Sequence, residues 1–157
     1  MATPNSTFSS GAVLTAEQVN SLPFGVVARQ ALTTSFTTTA PHTTLQANGA
    51  TLTINEVNGR LYRVNYSGYP YPSGGQQSVS ISLFRAGVEI KVFNIFSGSM
   101  STIYAPNHGT SFFYLASASA SVTWTVRIGA FSANTAVTDF GSATSVRQFW
   151  IEDLGKP

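Results

Sequence analysis

The sequence predicts an all-β protein: an antiparallel β-sandwich preceded by one short helix and an extended arm. Beyond residue 25, apolar and polar residues alternate with a period of two in one run after another, which is typical of half-buried antiparallel strands. Turn-forming residues separate these runs, and only one stretch has the start and stop signals of a helix. About eight strands at this spacing favour a sandwich or a barrel.

The first 25 residues are predicted to be a separate unit. Residues 1–13 are polar and lack periodicity, so we expect an extended arm that is ordered only where it lies on another surface. Thr15 and Gln18 have the spacing of a helix capping box, and Pro23 disfavours a helix beyond residue 21. We therefore expect one helix over residues 16–21.

This predicted helix is too short to be stable by itself. Leu14 and Val19 have the spacing of a hydrophobic staple around its first residues. The helix must therefore dock on its own domain, on a neighbouring copy or on a larger particle. We predict that the apolar residues of this unit form an assembly anchor, which consists of Leu14, Val19, Leu22 and Phe24.

Residues 26–157 are predicted to form the sandwich domain. In most of the alternating runs, β-branched and aromatic side chains share one face, as strands favour. The runs are marked, in chain order, by Leu32 and Phe36, by Leu52 and Ile54, by Tyr62, Val64 and Tyr66, by Val79, Ile81 and Leu83, by Val88, Ile90 and Val92, by Val122, Trp124, Val126 and Ile128, and by residues 146–151.

Turn sequences separate the runs. Asn48-Gly49 and Asn58-Gly59 are hairpin signals, and Ala86-Gly87 suits a short loop with glycine in the left-handed conformation. The stretch SGYPYPSGG at residues 67–75 fits neither a helix nor a central strand, so we expect an exposed loop. Residues 105–109 have the same signals.

The chain is poor in charge. Lys and Arg number eight and Asp and Glu six, which together are 9% of the 157 residues, whereas about 25% is usual in soluble domains. Uncharged faces are expected around Ser80 and Ser82 and around Thr123 and Thr125. Charged strand edges normally block association between sheets. The composition therefore favours a subunit whose neighbours cover these faces.

Residues suited to catalysis or metal binding are few and scattered. The chain has no cysteine, and His42 and His108 belong to no metal-binding or catalytic spacing motif. The adjacent Glu152 and Asp153 should point to opposite faces of a strand, so they cannot act as an acid–base pair. We expect them to end a strand or to pair with a neighbouring subunit. We predict no catalytic residue, no metal site and no cofactor.

The sequence also argues against two classes of partner, nucleic acids and membranes. Arg60 and Arg63 should lie on opposite faces of a strand, and a nucleic-acid footprint needs basic residues clustered on one face. No apolar run approaches the roughly 18 residues of a membrane span. We predict neither nucleic-acid binding nor membrane insertion.

Tyr69 and Tyr71 are the best candidates for contact with a ligand or partner. Exposed tyrosines on a rigid loop can stack on sugar rings or serve as hot spots of a protein interface. The alternative is that both rings pack over the end of the sandwich or against a neighbouring subunit.

Three segments resemble small virion proteins of tailed bacteriophages, which are described as minor tail or fibre-like proteins. They are LTAEQVNSLPFGVV at residues 14–27, NGRLYRV at residues 58–64 and FWIEDLGKP at residues 149–157, where Lys156 interrupts the usual Gly-Pro ending. The hairpin SISLFRAGVEI at residues 80–90 resembles the central hairpin of tumour-necrosis-factor-type jelly rolls.

These resemblances imply a jelly-roll-like head, commonly trimeric, on the exterior of a phage virion and without catalytic residues. We therefore expect a non-enzymatic structural protein that contacts copies of itself and other virion proteins. It would be a tail or fibre-tip component, or a decoration or fibre protein of the capsid. The alternative is a module that binds carbohydrate or envelope on the host surface through Tyr69 and Tyr71.

Overall fold

The computed structural model describes residues 22–72, 77–97, 107–130 and 136–157. The predicted arm, the predicted helix over residues 16–21 and two members of the assembly anchor, Leu14 and Val19, lie outside the described residues. The described chain is nearly all antiparallel β-structure with one 3-10 turn, His42–Thr44. This architecture is consistent with the predicted β-sandwich.

Eleven strands are present in the described part of the chain. They are β1 (Gly25–Leu32), β2 (Phe36–Thr38), β3 (Gln46–Glu56), β4 (Leu61–Gly68), β5 (Pro70–Pro72), β6 (Gln77–Arg85), β7 (Val88–Ser97), β8 (His108–Leu115), β9 (Ala120–Ala130), β10 (Val137–Asp139) and β11 (Arg147–Asp153).

The eight longer strands form two sheets of four. The first sheet has the order β1-β11-β4-β8 and the second sheet the order β3-β9-β6-β7, while a small sheet has the order β2-β10-β5. All strand pairings in these sheets are antiparallel. Among the eight longer strands the first pairs with the last, the second with the seventh, the third with the sixth and the fourth with the fifth. This is the pairing of a long hairpin that has been rolled up.

The apolar core lies between the first and second sheets. Tyr114 of β8 meets Trp124 of β9 edge to face, with ring centroids 5.4 Å apart. Alternation decides which residues enter this core, as the period-two pattern predicts: in β9 and β11 every second side chain is buried. The core members on these two strands include Val122, Trp124, Val126, Ile128, Phe149 and Ile151.

The hairpins predicted at Asn48-Gly49 and Asn58-Gly59 are wrong, whereas the turn predicted at Ala86-Gly87 is confirmed. Asn48-Gly49 lies within β3, where the register with β9 shifts between Ala47 and Thr51. The buried Asn48 side chain accepts the Ala50 N–H at 3.0 Å, which stabilises this bulge locally. Asn58-Gly59 is a turn between strands of different sheets. Ala86-Gly87 closes the β6–β7 hairpin with φ values of 49° and 80°.

Three further expectations need correction. The predicted run from Leu32 to Thr38 is divided, because β1 belongs to the first sheet and β2 to the small sheet. Residues 70–72 of the predicted exposed loop form the strand β5, in which both prolines are buried. His108 and Gly109 begin the strand β8 rather than lying in a turn.

The expected uncharged face around Ser80 and Ser82 is covered by the chain itself, since both serines are buried. Arg127, opposite Ser82 in the register, lays its guanidinium 4.2 Å from the ring centroid of Phe84. Gly129, opposite Ser80, lies directly beneath the backbone of Ala40. Neighbouring subunits are therefore not needed to bury these serines, whereas Thr123 remains exposed.

The close approach at Gly129 makes this position sensitive to a single methyl group. A Cβ atom there would lie 2.9 Å from the Ala40 carbonyl oxygen and 2.7 Å from a Leu45 methyl carbon. We expect Gly129→Ala to lower the free energy of unfolding by about 1–3 kcal/mol, because the residues over the sheet must shift. Gly109→Ala is the matched control, since a Cβ there meets nothing within 4 Å, and its stability should be unchanged or slightly raised. Equal urea midpoints for the two variants would contradict this packing.

Candidate functional site

A buried ion pair joins three distant segments of the chain. Arg60 follows the Asn58-Gly59 turn, and its Nε donates to Oδ2 of Asp153 at 2.6 Å. Both side chains are almost completely buried. Arg60 also donates through Nη2 to the Leu22 carbonyl oxygen at 2.5 Å, while Gly155 N–H donates to Oδ1 of Asp153 at 2.8 Å. One guanidinium and one carboxylate therefore hold the described N-terminal residues, the turn and the C-terminal segment together.

Backbone hydrogen bonds extend this junction. Leu61 N–H donates to the Gly155 carbonyl and Leu154 N–H to the Leu61 carbonyl, each at 2.8 Å. The residues after β11 thus continue alongside the start of β4. The segment from Glu152 to Gly155 is fixed on the body of the domain rather than extending from it.

Two members of the predicted assembly anchor lie at this junction. The ring of Phe24 stacks on the Arg60 guanidinium, 4.2 Å from ring centroid to Cζ, yet 61% of its surface is exposed. Leu22 contributes the carbonyl that Arg60 binds and is also exposed. A large aromatic side chain that is fixed in place but open to solvent is suited to contact another surface.

An open cleft lies beside Phe24, with a volume of about 270 Å³. Its exposed apolar members are Phe24, Val27 and Val57, whereas Ile54 and Tyr62 are buried. The residues that line it are Phe24, Val27, Thr53, Ile54, Asn55, Val57, Tyr62 and Asp153. We call it the anchor cleft.

Glu152, the neighbour of Asp153, points to the other face of β11, as the strand period predicts. There Arg63 donates to it from Nε, and Asn65 donates from Nδ2 at 3.4 Å. The hydrogen bond from Arg63 lowers the pKa of the Glu152 carboxyl. Glu152 and Asp153 end β11, which is one of the two alternatives expected. Both carboxylates pair with arginines of the same chain, so the structure does not require pairing with a neighbouring subunit.

Two further buried carboxylates are held by arginines. Glu56 accepts Arg85 Nη2 at 2.6 Å and the indole N–H of Trp124 at 2.9 Å. Asp139 accepts Arg147 Nη1 at 3.0 Å and Asn48 Nδ2 at 2.8 Å. Four of the six acidic residues of the chain therefore have arginine partners in the described structure. These carboxylates are thus part of the internal hydrogen-bond network of the described chain.

Tyr71 of the predicted contact pair lies on β5 of the small sheet, and Tyr69 directly precedes this strand. Both side chains are half-buried. Tyr71 stands in register with Thr138 of β10, which stands in register with Thr37 of β2. The two threonine hydroxyls are hydrogen-bonded at 2.9 Å. The small sheet thus presents an outward row, which we call the tyrosine row, made of Thr37, Thr138 and Tyr71.

The tyrosine row rests on the buried Asp139 cluster. Oδ1 of Asp139 accepts the Tyr69 N–H at 3.0 Å, and Oδ2 accepts the Tyr66 hydroxyl. Burial, followed by the nearby Asp139 charge, raises the pKa of the Tyr66 hydroxyl well above its ordinary value, so Tyr66 stays a hydrogen-bond donor. This arrangement fixes the backbone from which Tyr69 and Tyr71 project.

Arg60, Asp153 and the Asp139 cluster were not singled out as sites from the sequence. Arg60 and Asp153 are 93 positions apart, and no local pattern links them. The available signal was the expected resemblance of residues 58–64 and 149–157, which contain Arg60 and Asp153, to phage virion proteins. In the described ranges, no three His, Asp or Glu side chains are grouped so that they could hold a metal ion. No helix among those residues is long and apolar enough to cross a membrane.

Neither a protein-family model nor a curated protein sequence matches this chain.

The adjacent carboxylates of β11 give a matched test of the junction. Asp153→Asn leaves Arg60 as an uncompensated buried charge, so we expect a loss of roughly 3–5 kcal/mol in the free energy of unfolding. Glu152→Gln should cause a much smaller loss, because 42% of its partner Arg63 is exposed and exposed ion pairs contribute little. Urea unfolding of both variants measures the difference. Similar losses would show that the Arg60–Asp153 pair has no special structural role.

Proposed function

We propose that this is a non-enzymatic structural protein on the exterior of a bacteriophage virion, where it contacts copies of itself and other virion proteins. The observation that carries the proposal is the convergence of three segments that resemble small phage virion proteins. The Arg60 guanidinium, from one of these segments, donates hydrogen bonds to the Leu22 carbonyl and the Asp153 carboxylate, which come from the other two.

The strand pairing supports the jelly-roll part of the proposal. A jelly roll consists of eight antiparallel strands in two sheets. Pairing of first with last, second with seventh, third with sixth and fourth with fifth is what rolling up one long hairpin produces. Fold alone does not decide function, so the assembly role needs support from the surface.

The outer face of the first sheet supplies that support. Val26, Glu152, Arg63 and Phe113 stand side by side in the register across all four strands. Phe113 is 57% exposed, and Val26 and Leu115 are more than half exposed. The face combines apolar side chains with an arginine whose carboxylate partner belongs to the same chain. Such a composition is typical of protein interfaces, which are enriched in aromatic residues and arginine, and a trimer is the assembly that the resemblance implies.

Phe113 tests self-assembly through this face. We expect the native chain to sediment as a trimer and Phe113→Asp to sediment as a monomer, because a charge in an apolar contact is not compensated. The unfolding midpoint of the variant monomer should stay close to that of an isolated native subunit, since Phe113 is exposed in the single chain. Val88→Asp is the matched control: Val88 is 63% exposed on β7 of the second sheet and should leave the trimer intact.

The same proposal predicts that the protein is present on the exterior of phage particles. Mass spectrometry of purified particles of the phage that encodes the chain should detect it, and antibodies should label the particle exterior. A native chain that sediments as a monomer at micromolar concentration, or a particle without the chain, would overturn the assembly role.

Recognition of host-surface carbohydrate is the second candidate function, and the tyrosine row favours it. Thr37 and Thr138 offer hydroxyls fixed at 2.9 Å from each other beside the ring of Tyr71. A ring that stacks on a sugar and hydroxyls that bond to it are complementary to a glycan. The buried Asp139–Arg147 pair beneath keeps the row preorganised, which reduces the entropy cost of binding.

Tyr71→Ala tests this second function. Affinity for a host glycan or for whole cells should fall about tenfold or more, which corresponds to a lost contact of about 1.4 kcal/mol. Val88→Ala on the second sheet, which leaves the proposed trimer intact, should leave this affinity unchanged. Glycan-array binding by variants with native unfolding midpoints gives the comparison. Native affinity in Tyr71→Ala would exclude the tyrosine row as the binding site.

A further inference from the structure

The anchor cleft contains three apolar side chains that the described chain leaves largely uncovered, beside polar lining residues. Phe24, Val27 and Val57 around it are 61%, 40% and 44% exposed, respectively. Burial of such side chains is favourable by about 25 cal/mol for each Å² removed from water. A cleft of about 270 Å³ is large enough to receive several side chains of another segment.

The described chain begins at the edge of this cleft. Arg60 fixes the Leu22 carbonyl at 2.5 Å and stacks on the ring of Phe24, which lines the cleft. The residues before Leu22 therefore approach from a known point. An extended residue spans at most about 3.6 Å, so Val19 lies within about 11 Å of Leu22 and Leu14 within about 29 Å.

The preceding sequence has the composition that the cleft requires. In LTAEQVNS at residues 14–21, Leu14 and Val19 are the large apolar side chains and Glu17 is the one charged residue. Staple spacing brings Leu14 and Val19 together on one side of a helix start. Thr53 and Asn55 of the cleft offer polar groups to the remaining Ser, Thr, Asn and Gln side chains.

We propose that residues 14–21 dock in the anchor cleft of their own chain, with Leu14 and Val19 covering Phe24, Val27 and Val57. The short connection to Leu22 gives these residues a high effective concentration at the cleft, of millimolar order for short flexible linkers. A neighbouring copy must reach the same cleft from solution. Docking within one chain requires no phage particle, so its failure would leave the proposed virion role untouched.

Disulfide trapping tests which chain fills the cleft. The protein has no cysteine, so a pair can be introduced without interference. We expect Val19→Cys to form an intrachain disulfide with Val57→Cys or with Val27→Cys during mild oxidation, since such bonds need Cα atoms within about 7 Å. Val19→Cys with Val88→Cys is the matched control and should remain reduced. Bonds between chains, or equal rates at positions 57, 27 and 88, would overturn the proposal.

Hydrogen exchange tests whether the cleft is covered at all. Val57 N–H donates to the Tyr62 hydroxyl within the cleft at 3.0 Å. Its exchange should be about tenfold faster in the double variant Leu14→Ser/Val19→Ser than in the native chain, which corresponds to the loss of about 1.4 kcal/mol of apolar burial. The control is the β6–β7 hairpin, which lies at the edge of the second sheet opposite to the cleft-lining strand β3. Its backbone amides should exchange at the same rate in both proteins. An unchanged exchange rate at Val57 would overturn docking of residues 14–21 in the cleft, whether from the same chain or from a neighbouring copy.

Discussion

Buried carboxylates that are paired with arginines connect different strands and turns of this chain, and the sandwich depends on these pairs. Arg60 holds Asp153, Arg85 holds Glu56 and Arg147 holds Asp139. Removing a charge from water is costly, and a pair offsets that cost only with good geometry and further hydrogen bonds. Those bonds are present here: Asp153 also accepts a backbone N–H, Glu56 an indole N–H, and Asp139 an amide and a phenol. Each pair therefore specifies one arrangement of strands.

These ion pairs within the chain change how the charge-poor composition is interpreted. Only a few ionic groups were available, and most of the acidic ones are committed to arginines within the chain. The serines of β6 are covered by Arg127 and by the residues over Gly129, so their burial does not require a neighbour. The outer face of the first sheet, with Phe113, Leu115 and Val26 exposed, is the better candidate for contact between copies. The proposed assembly therefore depends on exposed apolar side chains of this face rather than on low charge alone.

The two ends of the described chain meet at one junction, and this places the features of interest around it. Leu22 and Gly155 are both tied to the Arg60–Asp153 pair, and Phe24 is held over it. The anchor cleft opens beside this point. The tyrosine row rests on the separate Asp139–Arg147 cluster. The Arg60–Asp153 pair thus supports the candidate assembly anchor, and the Asp139–Arg147 pair supports the tyrosine row.

The sequence by itself determined the class of fold, because period-two alternation dictates which side chains of β9 and β11 enter a core. It also determined the opposite directions of Glu152 and Asp153 and the Ala86-Gly87 turn, which are local geometry. Only the tertiary structure decided that Asn48-Gly49 is a bulge and that residues 70–72 are a strand, because strand partners distant in sequence override local turn preference. The Arg60–Asp153 junction and the tyrosine row were likewise decided only by the tertiary structure. Their members are brought together by sheet pairing between distant segments, which no local spacing encodes.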